Sequence, residues 1–239
     1  MYRINEIFYS LQGEGYHSGM PAVFVRLSGC NLRCPFCDTD FSAYREMSAV
    51  EIAAAVKTCS ESLLEGASKP LIVLTGGEPA LQVDEALLAA LHGTGMSVCI
   101  ETNGTHSLPA GIDWITCSPK AGTRLALTEA DELKVVLTEG VEPEQWLQQV
   151  RSKHLFLQPC SCQNTEQVVE YVLRHPHWRL SLQTHKYLHI RYLIDIESVR
   201  KEGAERKGTT RQVDLSGSAF VNVVTCENWT IRKVFAEGR

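Results

Sequence analysis

The sequence predicts an α/β domain organised on a mainly parallel sheet, closing at most into a shortened, open barrel. Three observations lead there. Apolar runs of four to six residues alternate along the chain with segments of helical periodicity, the pattern of successive strand–helix–strand units. The runs are rich in Val, Ile and Leu, and several lack clean alternation, as expected of strands covered on both faces. The helical signals fade between residues 114 and 137, so a full ring of crossover helices is not expected. No internal repeat is present.

The elements follow in order. Candidate strands cover residues 22–27, 71–75, 97–101, 114–117, 133–137, 154–157 and 179–183. Ser48-Ala-Val-Glu51 has the form of a capping box and opens a helix running to about Cys59. Further helices are expected over 83–92, 142–150 and 165–174, the last with Asn164 as its N-cap. Residues 1–191 form the expected core domain. Residues 192–239 read as a C-terminal extension, with a charged, Gly-containing stretch at 200–208 and one or two possible strands beyond it. Covering a sheet edge, joining a dimer contact and partial mobility are the roles open to it.

Composition narrows the class. Of 239 residues, 44% are apolar, enough for a real core, and 21% are charged, with a net charge of −5. That balance disfavours a nonspecific nucleic-acid binder. No run of about 18 apolar residues suggests a membrane-spanning helix. The opening MYRINEIFYSLQGEG lacks a continuous apolar segment and a small-residue cleavage site, so no secretory signal is expected. The expected compartment is the cytoplasm, where thiols stay reduced and clustered cysteines point to metal or redox chemistry.

Three of the nine cysteines do cluster, in GCNLRCPFCDT at residues 29–39. The spacing is C-x3-C-x2-C. Thiolates suit iron–sulfur clusters and zinc. Three thiolates on one loop leave the fourth iron of a cubane open for a ligand. A closed zinc site would want a fourth protein ligand, for which Cys160 or Cys162 are candidates. Spacing alone therefore leaves a cluster, a zinc site and inert thiols as alternatives. A second string, LIVLTGGEP at 71–79, runs a strand into paired glycines that permit close backbone approach, or simply a turn.

The cysteine spacing, with an aromatic residue before the last cysteine, resembles the signature of the radical S-adenosylmethionine (SAM) superfamily, and GGEP strengthens the likeness. The resemblance implies a partial (β/α) barrel of about six parallel strands, to which this sequence adds its C-terminal appendage. It also implies a [4Fe–4S] cluster on Cys30, Cys34 and Cys37. SAM would chelate the open iron and yield a 5′-deoxyadenosyl radical that abstracts hydrogen.

Further strings narrow the family. LQGEG precedes the first expected strand, Arg26 lies within it as a lone charge in an apolar run that needs a partner, and CDT follows the cluster. ETNGT, SPK, QP and QTHKYL follow later strands in turn. Together they resemble the 7-carboxy-7-deazaguanine synthases of queuosine and 7-deazapurine biosynthesis, over about residues 1–191. That family implies a carbon–nitrogen lyase, contracting 6-carboxy-5,6,7,8-tetrahydropterin to 7-carboxy-7-deazaguanine with loss of ammonia.

Carried over by position, Leu11, Gln12, Gly13, Glu14, Arg26 and Thr75 would bind substrate. Arg26 would grip its carboxylate, and Glu14 the donor edge of its ring. Thr39 would ligate Mg2+, which prefers oxygen. Phe36, Cys37, Asp38, Gly77, Ser118, Pro119, Lys120, Gln158 and Pro159 would lie along SAM, with Glu101 and Asn103 at its ribose or at the substrate. These residues fall at expected strand C-termini, where barrel enzymes build their sites. No residue is assigned a catalytic acid–base role. His185 and Lys186 invite one, but a polar stretch plugging the barrel end is the plainer reading. Cys160 and Cys162 read as ordinary loop thiols. Implied partners are the pterin, an electron donor such as a flavodoxin or ferredoxin, and a second copy in a homodimer, with no nucleic acid or membrane. A long segment follows QTHKYL where such relatives end, so no C-terminal substrate contact is carried over. Two alternatives remain: a radical SAM activase acting on a partner protein, and a non-catalytic zinc or iron–sulfur module.

Overall fold

A computed structural model describes residues 1–37, 39–40, 43–61 and 69–188, with Glu61 as backbone only, and the backbone alone of 194–195, 225–226 and 229–230. The strands are β1 (Tyr2–Leu11), β2 (Pro21–Leu27), β3 (Arg45–Met47), β4 (Leu71–Gly76), β5 (Val98–Thr102), β6 (Trp114–Cys117), β7 (Glu129–Leu137), β8 (Arg151–Pro159), β9 (Arg179–Leu180) and β10 (Ile194–Asp195). The helices are α1 (Ala49–Glu61), α2 (Glu85–His92), α3 (Thr165–Arg174) and α4 (Thr184–Tyr187). One sheet takes in all ten strands, in the order β10-β1-β2-β4-β5-β6-β7-β8-β9, with β3 also on β1. From β2 to β9 every pairing is parallel. The order is linear, so the curved sheet is an open barrel. A separate two-residue pair joins Thr225–Cys226 to Trp229–Thr230.

Alternation along each strand sorts core from cavity. Val23, Val25 and Leu27 of β2, Ile72 and Leu74 of β4, and Val98 and Ile100 of β5 face outward onto Ile52, Val56, Leu87 and Leu91 of α1 and α2. Leu133, Val135 and Leu157 face outward onto Trp146, Val168 and Trp178. Each such side chain contributes about 1.5–3 kcal/mol on full burial. Inside the barrel, Ala22, Leu71, Val73 and Cys99 form a small apolar floor with Phe24 and Trp114. Strands β4 and β5 are thus buried on both faces along their lower halves, as their sequence pattern predicts. The outer face is packed, and the upper inner face is left for polar residues.

Local signals account for the ends. The capping box is formed: Ser48 Oγ accepts from Glu51 N at 3.3 Å, and Glu51 Oε2 accepts from Ser48 N at 2.8 Å. In α2, Asp84 caps Leu87 N at 2.9 Å. Asn164 precedes α3 but does not cap it. Its side chain instead accepts from Cys160 N at 2.8 Å and donates to Leu137 O at 2.9 Å, tying the loop after β8 to the end of β7. The helix expected over 142–150 is a 3-10 turn, Pro143–Gln148, which needs only to seat Trp146 in the core.

Two strands at one end of the sheet went unforeseen. β1 runs antiparallel to β2, with its register shifting between Ile4 and Glu6, and this irregularity breaks the period-two pattern a strand should show. β3 is only three residues long. At the other end, the strand expected over 179–183 stops at Leu180. Ser181 N still bonds Leu157 O at 2.9 Å, and then the chain turns inward.

Candidate functional site

The inner face opens into a cavity of about 800 Å³. Parallel register builds its wall: Arg26 pairs directly with Thr75, and both point inward because their strand neighbours Val25, Leu27 and Leu74 point out. Glu101, Lys134 and Gln158 join them by the same alternation from β5, β7 and β8, and all five line the cavity.

Arg26 has the partner its lone charge required. Its Nε donates to Glu6 Oε1 of β1 at 2.6 Å, and Nη1 approaches Thr39 Oγ1 at 3.4 Å. Strand β1, absent from the sequence reading, therefore supplies the counter-ion.

The LQGEG loop lies across the barrel and is held from several strands at once. Gln12 Nε2 donates to Glu101 Oε1 at 2.8 Å, and Glu14 accepts from Lys134 Nζ at 2.5 Å and from Gln183 Nε2 at 2.9 Å. Gly13 O accepts from Thr184 N at 2.9 Å and from Thr184 Oγ1 at 3.0 Å. A Cβ on Gly13 would lie 2.4 Å from His185 Nδ1, so only glycine lets the imidazole sit there. QTHK and LQGEG, 171 residues apart at the Gly13–Thr184 contact, are two halves of one clamp. His185 also lines the cavity. α4 therefore brings a polar stretch to the barrel end, with His185 facing the cavity.

Burial pushes the Glu14 carboxyl up, but the charge and hydrogen bond of Lys134 and the bond from Gln183 outweigh it, holding it at about 2. Lys134, buried against three carboxylates, is held firmly as the ammonium. Glu132 is raised by burial. Its Oε2 accepts from Tyr16 N at 3.0 Å, while Oε1 has no hydrogen-bond partner.

The GGEP string meets backbone rather than open space. Gly76 sits at φ 132°, and a Cβ there would fall 2.1 Å from Leu27 O. On Gly77 it would fall 2.1 Å from Gly29 O. The paired glycines thus let the end of β4 pack against the start of the cysteine loop, fixed further by Glu78 N donating to Gly29 O at 2.9 Å. The Glu78 carboxylate is buried and organises ETNGT, accepting from Thr102 Oγ1 at 2.6 Å and Asn103 N at 2.7 Å. Asn103 Nδ2 then reaches Asn31 Oδ1 of the cysteine loop at 3.0 Å.

Cys30, Cys34 and Cys37 are free thiols along the cavity wall. Leu32 N donates to Cys30 Sγ at 3.4 Å. Cys30 is raised by burial and further by the like charges of Glu78, Cys34 and Cys37, a disfavoured set of thiolates that a cationic metal centre relieves. Among the described residues no three His, Cys, Asp or Glu side chains converge as ligands of one ion. A cubane binds each thiolate at a separate iron, and three free thiols of one loop on the cavity wall are the donor set it needs. Burial pushes Cys99 and Cys117 up to about 12, which leaves them inert.

Of the other expected site residues, Leu11, Phe36, Thr39, Gly77, Asn103, Ser118, Lys120 and Pro159 also line the cavity. Pro119 is buried behind Ser118 and Lys120 and does not. Asp38 lies outside the described residues. Lys120 Nζ donates to Ser118 O at 2.6 Å and Ser118 Oγ at 2.8 Å, and burial lowers its pKa. Cys160 and Ser161 line the rim.

Comparison with known proteins agrees with this arrangement. The model of the radical SAM superfamily matches residues 24–150. The 7-carboxy-7-deazaguanine synthase of Bacteroides thetaiotaomicron is 54% identical over 191 residues, covering 80% of this chain and all of that protein. The chain belongs to the 7-carboxy-7-deazaguanine synthase family. The synthase of Nitratidesulfovibrio vulgaris is 45% identical over 79% of this chain and 99% of its own length. The crystal structure of QueE from Escherichia coli superposes with a TM-score of 0.64 at 29% identity, covering 76% of this chain and 93% of that one. The radical SAM family implies a [4Fe–4S] cluster and SAM, and the cysteine loop fits the former. No helix among the described residues is long and apolar enough to cross a membrane.

Within this family site, the sequence reading missed Lys134, Gln183 and the organising role of Glu78. Lys134 had a visible signal. It is a single cation inside the apolar run LKVVL, the same feature that singled out Arg26.

Proposed function

We propose that the chain converts 6-carboxy-5,6,7,8-tetrahydropterin to 7-carboxy-7-deazaguanine with loss of ammonia, as a carbon–nitrogen lyase. The observation that carries this is the clamp: LQGEG and QTHK are joined inside a cavity that also takes in Arg26 and the cysteine loop. An activase or a zinc module has no reason to keep this small pterin-binding set beside the cysteine loop. The cavity's volume accommodates a cofactor and a small heterocycle side by side.

The chain's residues divide the work. Arg26 binds the substrate carboxylate with the guanidinium edge that Glu6 does not occupy. Thr39 holds Mg2+ beside it, and a carboxylate between the two would accept from the guanidinium and offer an oxygen to the ion. Leu11, Gln12, Gly13, Glu14 and Thr75 frame the ring, with Glu14 accepting from its donor edge. Phe36, Cys37, Asp38, Gly77, Ser118, Lys120, Gln158 and Pro159 position SAM, with Glu101 and Asn103 at its ribose or at the ring, and Pro119, set back from the cavity, fixes the backbone between Ser118 and Lys120. Once bound to the cluster, SAM supplies the hydrogen-abstracting radical. The enzyme works in the cytoplasm as a homodimer, reduced by a flavodoxin or ferredoxin. Residues 1–191 form the catalytic core and 192–239 an extension.

The test is anaerobic reconstitution with iron and sulfide, followed by SAM, Mg2+, reductant and the carboxytetrahydropterin. A mass signal for 7-carboxy-7-deazaguanine is expected. Its absence from a cluster-loaded sample that still cleaves SAM would overturn the proposal.

A further inference from the structure

Lys134 is buried at the centre of the clamp, with its side chain 3% exposed. Its Nζ lies 2.5 Å from Glu14 Oε2 and 2.9 Å from Glu101 Oε2. Each carboxylate takes a second bond from a neutral amide: Gln183 Nε2 to Glu14 at 2.9 Å, and Gln12 Nε2 to Glu101 at 2.8 Å. One ammonium on β7 therefore fixes acceptors from the first loop and from β5, and through them the strings at both ends of the site.

We propose that Lys134 is a positioning residue for the substrate, holding Glu14 as the carboxylate and fixing both Glu14 and Glu101 in place, so that the clamp end of the cavity presents carboxylate acceptors to a heterocycle with an amino-amide donor edge. The inference rests on the reading in the preceding subsection. A buried carboxylate without a cation takes up a proton, and a protonated carboxyl presents a donor to the ring's own N–H groups. A single ammonium between two carboxylates leaves an excess of acceptor capacity, which the ring's donors can complete. The charged and titratable groups acting on Glu14 are Lys134 and His185, with Glu101, Glu132 and Lys120 nearby in the same field. Of these, Lys134 donates a hydrogen bond to it from a buried cation.

The experiment uses cluster-loaded enzyme. Wild type is first shown to turn over carboxytetrahydropterin; failure there overturns the reading of function and not this inference. Lys134→Met and Lys134→Arg are then compared for KM, kcat and SAM affinity between about pH 5.5 and pH 8.5. For Lys134→Met, KM for the pterin should rise at least about 30-fold at pH 7, the scale of breaking one buried charge pair. It should also gain an acid limb, because Glu14 now titrates in the measured range, while SAM affinity stays unchanged. Lys134→Arg should keep KM within about fivefold and show no new limb. An unchanged KM in folded Lys134→Met, or an equal loss of pterin and SAM affinity in both variants, would overturn the proposal. If neither variant folds, Glu14→Gln carries the test. It keeps the shape and removes the charge, so KM must rise with SAM affinity intact, and an unchanged KM overturns the inference.

Discussion

Gly13 and His185 touch so closely that a single methyl group separates a formed site from a blocked one. Gly13→Ala would place its Cβ 2.4 Å from the imidazole. The expected result is a rise in pterin KM of about tenfold or more, the scale of 1–3 kcal/mol for overpacking, with iron content unchanged. Gly77→Ala has the opposite signature. Its Cβ meets backbone, Gly29 O, which cannot swing away. Iron and sulfide content after reconstitution should fall, whatever the pterin does. Residue-scale electrostatics gives a pH prediction as well. Glu14 is at about 2 in the folded protein against an ordinary 4.5, so its ion pair adds stability above pH 4.5 and loses it as pH falls toward 2. Urea midpoints of wild type should fall over that window more steeply than those of Glu14→Gln. The sequence showed Arg26 as a charge in need of a partner but could not say which. Glu6 lies 20 residues away on a strand whose irregular pattern hid it.

Among elements, the ends of helices were the most legible, because a cap is a local contact. Ser48 and Glu51 are three residues apart and bond each other as their spacing requires. Ser48→Ala should cost about 1 kcal/mol, read as a fall in thermal midpoint without loss of cluster. Asn164 looked equally like a cap. A tertiary alternative won, since its amide serves the loops after β7 and β8 at once. The turn Pro143–Gln148 shows the same competition. It stays a 3-10 turn because its task is to seat Trp146 and to place Glu144 under Trp178, whose Nε1 donates to it at 2.8 Å. Glu144→Ala would leave that indole N–H unpaired in the core, at a cost of about 1–3 kcal/mol measured by urea denaturation.

For the whole molecule, the inner wall draws on residues 8–185. Among the described residues, β10 pairs with Phe8 and Tyr9 of β1, on the side away from β2. A chain ending at residue 191 should therefore keep its cluster absorbance and turn over the pterin within about threefold of the full chain, an edge pair of two residues contributing little. Loss of cluster binding in the shortened chain would show that the extension completes the core.

What the sequence determined by itself was the chemistry available: three soft ligands in one loop, the strand–helix alternation, and polar strings at strand ends. Each depends on residues near one another in the chain, where spacing fixes geometry. Only the tertiary structure decided that LQGEG and QTHK form one clamp, that the paired glycines of GGEP serve the approach of one backbone to another, and that Lys134 governs two carboxylates. Those contacts join residues 33 to 171 positions apart. Their partners are chosen by strand order and register, which no local pattern encodes.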